Sequence, residues 1–234
     1  MRRIYFFVLM ILIPLATGVV VAQPPSIPRK PSDIPNPRTA GDFQTRGELW
    51  RREGDSDKAV ADFTAAIELD PQKPIFYLER GLTLAAKKEN EKAMADCDQA
   101  LRLDPKYQLA YVLRAQLWTE QRKYISVRND LVTAWRLDNK NVVVCGNLAW
   151  LLSTCPLDEI RNGRRAVELA TFACEFGKYQ NPAAIDTLAA AYAEVSNFDA
   201  AIKWEEKAIE LGASDQGFKD RLTLYKQGKP YRTP

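Results

Sequence analysis

The chain repeats itself every 34 residues, and that period constrains its fold more than any other feature. With Ala40 as position 1, Gly47, Ala59, Phe63, Ala66 and Pro71 stand at positions 8, 20, 24, 27 and 32. The same places in the next copy hold Gly81, Ala93, Cys97, Ala100 and Pro105, with Leu84 at position 11 where Trp50 stood. A third copy supplies Ala115, Trp118, Val127, Leu131 and Ala134. Several offsets recur together, which single chance matches do not produce. A period of this size marks stacked units, each too small to bury its own apolar face alone.

Each unit predicts two helices, A over about positions 2–14 and B over about 18–31. The B helices close with Leu69-Asp70-Pro71, Leu103-Asp104-Pro105 and Leu137-Asp138-Asn139. Proline there ends one helix and lets the chain turn into the next. The small residues at positions 8 and 20 let the paired helices approach, and a larger side chain would overpack the contact at a cost of about 1–3 kcal/mol.

The first three units are 40–73, 74–107 and 108–141. A divergent fourth, 142–181, carries Leu148-Ala149 at positions 7 and 8 and has a turn, Ser153 to Gly163, about five residues longer than the others. A fifth, 182–214, restores the register with Leu188-Ala189, Tyr192, Ala201 and Ala208. An amphipathic segment at 215–227, within the last stretch 215–234, then stops at Gly228 and Pro230 and is expected to cap the open stack.

Arg46, Arg80 and Arg114 occupy position 7, and Asp62, Asp96 and Asp130 follow sixteen residues later at position 23. In the last two units those places hold Leu148 with Leu169 and Leu188 with Trp204. The charges appear and vanish together, as a physical contact requires, because one partner left buried alone costs about 3–5 kcal/mol. A pair copied three times is a structural element of the unit rather than a catalytic site.

The combined pattern resembles the tetratricopeptide-repeat family. The resemblance implies an all-α fold, a right-handed superhelical solenoid of antiparallel helix pairs with a C-terminal capping helix, and a task of holding other proteins. Residues 147–232, from NLAWLLSTCPLDEIRNG to KQGKPYR, are similar to the C-terminal part of exported bacterial proteins of this family. The resemblance places the partner groove on helix A, at positions 2, 5, 9, 12 and 13. Its candidate contacts are Gln44, Glu48 and Arg51 in the first unit, Leu78 and Leu82 in the second, Val112 and Gln116 in the third, Trp150 in the fourth and Asp186 in the fifth. The family's chaperone-tail binders carry Lys and Asn where this chain has Gln44 and Glu48, so that carboxylate clamp is absent. Leu78, Leu82, Val112 and Trp150 are the apolar anchors, with Trp150 the expected hot spot. The opposing expectation is that neighbouring helices cover these side chains.

Residues 1–22 have a basic start (Arg2, Arg3), an apolar run from Ile4 to Val21 and small residues up to Ala22. That is the pattern of a secretory signal peptide cleaved after Ala22, with an uncleaved membrane anchor as the alternative. Removing it lowers the formal net charge from +3 to +1, because two of the 33 basic residues go and the 30 acidic ones stay. No basic excess remains to bind nucleic acid. Residues 23–39 form a linker whose prolines at 24, 25, 28, 31, 35 and 37 favour an extended polyproline spacer.

The chain has no histidine, which removes the commonest general base and metal ligand, and it has no glycine-rich phosphate loop. No catalytic, metal or cofactor residues are assigned. Asp158-Glu159 and Glu205-Glu206 are expected to be ordinary charges on exposed helix faces. Cys97, Cys145, Cys155 and Cys174 lack metal-ligand spacing. Cys97 is expected in the core, and Cys145 and Cys174 are weighed as a disulfide between the meeting ends of two antiparallel helices. The sequence thus points to an exported, non-catalytic interaction module that binds a peptide or helix in its groove. The alternatives are a structural subunit assembling through its ends or convex face, and an enzyme or its regulatory subunit.

Overall fold

A computed structural model describes residues 28–212 and 215–233. The expected signal peptide and the first part of the linker lie outside the described residues. Among the described residues the regular structure is helical throughout: α1 (Ala40–Glu53), α2 (Ser56–Leu69), α3 (Pro74–Ala86), α4 (Asn90–Leu103), α5 (Gln108–Glu120), α6 (Tyr124–Leu137), α7 (Val142–Thr154), α8 (Gly163–Phe176), α9 (Pro182–Glu194), α10 (Phe198–Glu210) and α11 (Gln216–Lys226), with short 3-10 turns at Pro31–Asp33 and Asp158–Ile160. Odd and even helices pair as antiparallel neighbours, successive pairs stack, and α11 packs on α10 at the end. This is the expected all-α solenoid.

The core is continuous from pair to pair. Position 24 of the first four units, Phe63, Cys97, Leu131 and Ala170, is buried throughout, as are the alanines at positions 20 and 27. A Cβ on Gly47 would stand 2.8 Å from the Phe63 ring, so glycine is needed where α1 crosses α2. Between pairs, Asp70, Asp104 and Asp138 each accept from the backbone N–H two residues on, which fixes the turn out of the B helix.

The turn from A to B depends on position 15. Gly54, Lys88, Arg122 and Ser196 all stand there, and all have positive φ, between 55° and 86°. In the fourth unit that position is Pro156, whose ring locks φ near −65°. The tight turn is therefore closed to this unit, and the chain takes the longer path through Asp158–Ile160 before α8 begins.

The Arg–Asp pairs form a ladder along one side of the first three units. Arg46, Arg80 and Arg114 each grip both oxygens of their aspartate at 2.7–2.9 Å. The remaining nitrogen reaches backwards: Arg80 to Thr64 at 3.1 Å and Arg114 to Asp98 at 2.8 Å, each on the preceding B helix. Among the described residues no α-helix precedes α1, and Arg46 donates instead to the Ile34 carbonyl at 3.3 Å. The stretch around Pro31, which is buried, thus packs against α1 in place of an earlier unit, rather than running as a free spacer over the whole of 23–39.

Candidate functional site

The A helices α5, α7 and α9 lie side by side, and hollows open between them. Val112, Ala115, Val127, Trp150 and Leu151 line a cavity of about 260 Å³ between α5 and α7, and Gln116, Thr119, Glu120 and Asn147 supply its polar edge. A second hollow of about 460 Å³ lies between α7 and α9, where Val143, Phe176 and Ala183 form the apolar part. Asn147 and Trp150 line both, so α7 presents a ridge with a hollow on either side. Trp150 is half-buried, with the Tyr231 ring 5.9 Å away and the Arg221 guanidinium 5.5 Å over its ring.

Beneath this ridge lies a buried polar cluster. Arg221 on α11 donates from Nε to Asp186 on α9 at 2.6 Å, and the same nitrogen is 3.6 Å from the Glu205 carboxylate on α10. Glu205 is fully buried and Tyr225 nearly so. Burial, and then the negative charge of Asp186, push the Glu205 carboxyl up to about 9, so it keeps its proton at neutral pH. One acid neutral and one ionised is the arrangement a single guanidinium can balance. The cluster fixes α11 against α9 and α10.

Residues 46–108 match the profile of the tetratricopeptide-repeat family. A chain of the APC/C hetero-tetramer Cut9–Hcn1 superposes with a TM-score of 0.68 at 16% identity over 81% of this chain, which spans only 36% of that one. The thermophilic protein TTC0263 of Thermus thermophilus, itself a tetratricopeptide-repeat protein, gives 0.60 at 15% identity and covers 81% of this chain and 100% of its own. YrrB, described as a tetratricopeptide-repeat protein with an unusual peptide-binding site, gives 0.60 at 16% identity, with 79% and 92% covered. Residues 46–108 carry the tetratricopeptide repeat, and the described residues have the fold of these solenoids. No curated protein sequence matches the chain. At these identities the structural likeness speaks for the fold, and the family as a class serves as interaction scaffolds.

The candidate groove residues do not form one strip. Val112, Gln116 and Trp150 come together at the α5–α7 cavity. Gln44 and Glu48 bond to each other at 2.9 Å on α1, and Arg51 pairs with Glu79 on α3 at 2.6 Å. Leu78 is not a surface residue: it is 2% exposed, in the core with Leu84, Leu101 and Leu113, because α3 and α5 approach and close over position 5. Leu82 is half-buried against the same cluster. Asp186 is likewise buried, held by Arg221. Of the four apolar anchors, Leu78 is thus covered by neighbouring helices and Leu82 partly so, while Val112 and Trp150 line the cavity between α5 and α7.

Two further expectations change. Glu205 is not on an exposed face: it stands at position 24, the core position, and α11 covers it. A carboxylate at that core position is the one sequence signal of the buried cluster. The four cysteines are free and buried, and Cys145 and Cys174 are not bridged. The Cys145 thiol instead donates to the Asn139 carbonyl at 3.4 Å. Among the described residues no group of three or more Cys, Asp or Glu is placed to hold a metal ion, and no helix is long and apolar enough to cross a membrane.

Proposed function

We propose that the chain is a non-catalytic, exported interaction module that holds an extended segment or helix of a protein partner on the concave face formed by α5, α7 and α9. The observation that carries this reading is the open cavity at Val112, Val127, Trp150 and Leu151, rimmed by the exposed Gln116, Thr119 and Asn147. An apolar floor with a polar rim is the anatomy of a peptide-docking surface. Export rests on the composition of residues 1–22. The test is affinity capture from the envelope fraction, comparing wild type with Val112→Lys and Gln116→Lys chains of unchanged helicity and melting. A partner lost with both variants supports the groove; an unchanged partner set removes it.

A second reading, assembly of copies through an exposed apolar patch at the α7–α9 hollow, has one observation in its favour. Phe176 is 70% exposed beside the exposed Val143. Sedimentation of the wild type and of Phe176→Lys separates the two readings, since only assembly through this patch predicts a change in oligomer size.

A further inference from the structure

The chain turns back on itself after α11. Gly228 takes a φ of +67°, the Lys229 N–H returns to the Leu224 carbonyl at 3.0 Å, and residues 230–233 run to the C-terminal end of α7. Three consecutive residues there meet three kinds of partner. The Tyr231 ring lies against Trp150 at 5.9 Å. Arg232 pairs with Glu194 on α9 at 2.6 Å, and Thr233 shares a hydroxyl–hydroxyl hydrogen bond of 2.9 Å with Thr154.

The main chain shows why a segment settles here. The last four carbonyls of a helix have no partner within it. In α7 the Leu151 carbonyl is taken by the Cys155 N–H, and the Leu152 carbonyl by the Asn162 N–H of the long turn. Ser153 and Thr154 remain, both in buried residues, and it is Arg232 Nη1 and the Thr233 N–H that reach their carbonyls, at 3.3 and 2.8 Å. The negative end of the helix dipole also favours the Arg232 cation. The site exists because Pro156 denies this unit the tight turn, which leaves the end of α7 open to a second segment of chain.

We infer that this is a peptide-acceptor site occupied in cis by residues 229–233, and that the partner is an extended segment carrying an aromatic residue followed by arginine, which replaces the tail residue for residue. The inference rests on the groove reading above and specifies what the groove takes. Recognition is divided among a ring for Trp150, a cation for Glu194 and a backbone N–H for the Thr154 carbonyl. Thr233 lines one wall of the cavity between α5 and α7, so a partner continuing in the same direction puts an apolar side chain against Val112 and Leu151. A separate segment needs such added contact to displace a tethered one, because a short tether gives the tail an effective concentration of about millimolar.

The probe is a fluorescein-labelled peptide of residues 229–233, Lys-Pro-Tyr-Arg-Thr, and a second version extended by Ala-Leu. Each is titrated into the wild-type chain and into a full-length Tyr231→Ser, Arg232→Ser chain whose own tail is released. The expected result is binding to the released chain at least about tenfold tighter than to wild type. The extended peptide is expected to bind tighter than the short one, and Glu194→Gln in the released chain is expected to weaken both. No binding to a released chain of unchanged helicity and melting overturns the inference, and so does equal binding to both chains. If the released chain does not fold, hydrogen exchange on wild type decides: the extended peptide at millimolar concentration must speed exchange of the Thr233 amide, and an unchanged rate overturns the inference. A failure here leaves the capture result dependent on Val112 and Gln116, whereas failure of the groove reading removes that dependence.

Discussion

Arg80 holds Asp96 through two parallel hydrogen bonds, Nε to one carboxylate oxygen at 2.9 Å and Nη2 to the other at 2.7 Å, while Nη1 rests on Thr64 of the preceding pair. The same guanidinium therefore closes its own helix pair and fastens it to the previous one. Asp96→Ala leaves a half-buried cation facing an apolar contact, and is expected to cost about 2–4 kcal/mol in urea unfolding. The double substitution Arg80→Leu, Asp96→Leu copies the Leu148–Leu169 solution of the fourth unit and is expected to recover most of that loss. Equal loss in the single and double variants would count against a coupled pair.

The position-15 turns predict opposite responses to glycine. Arg122 has a φ of 55°, strained for a residue with a Cβ, and Arg122→Gly is expected to stabilise the protein by about 0.5–1 kcal/mol. Gly54 has a φ of 86°, and Gly54→Ala is expected to destabilise it by about 1 kcal/mol. Thermal melts of both variants check the pair of signs together.

Glu205 makes stability depend on pH in a direction unusual for a carboxylate. Its value rises from the ordinary 4.5 to about 9 in the folded chain. Between those two values the unfolded chain gives up the proton and the folded chain keeps it, so this group makes stability fall as pH rises, by at most about 1.4 kcal/mol per pH unit. The decline ends above pH 9. Glu205→Gln has no proton to lose, so its stability relative to wild type is expected to grow from pH 5 to pH 8 in parallel urea titrations. A constant difference across that range would show that Glu205 is ionised in the folded state.

The cysteines are expected to be chemically silent until the chain unfolds. Burial pushes the Cys97 and Cys174 thiols up to about 12, and raises Cys145 and Cys155 as well. A thiol-specific chromogenic reagent should find no rapidly reacting cysteine in the native protein and all four in guanidinium, without reductant. Two rather than four on unfolding would restore the Cys145–Cys174 bridge.

The fold was legible because the 34-residue copies agree with one another: Gly47 and Gly81, Ala59 and Ala93, and the three Arg–Asp pairs each name a helix contact before any coordinates exist. The candidate site was legible only in part, because position in the repeat does not fix how far a side chain is covered. Val112, Gln116 and Trp150, named from the groove positions of the resemblance, line one cavity, whereas Leu78 was misplaced because helix periodicity does not say how closely the next A helix approaches. Glu205 and Pro156 were the two residues that broke their positional rules, one charged at a core place and one without positive φ at a turn. They mark the buried cluster and the open end of α7. The tail contacts left no periodic trace, because Tyr231 to Thr233 belong to no repeat.

Most of this solenoid is held by neighbours in sequence, but Arg232 and Thr233 close on Ser153 and Thr154 from 79 residues downstream. A chain emerging N-terminus first into the compartment where it folds can complete its first three helix pairs from segments already delivered. The end of α7 has to wait until Thr233 arrives. During that interval its two bare carbonyls and the Trp150 ring are open to any other segment nearby, so a partner present where the chain folds meets the site before the tail does.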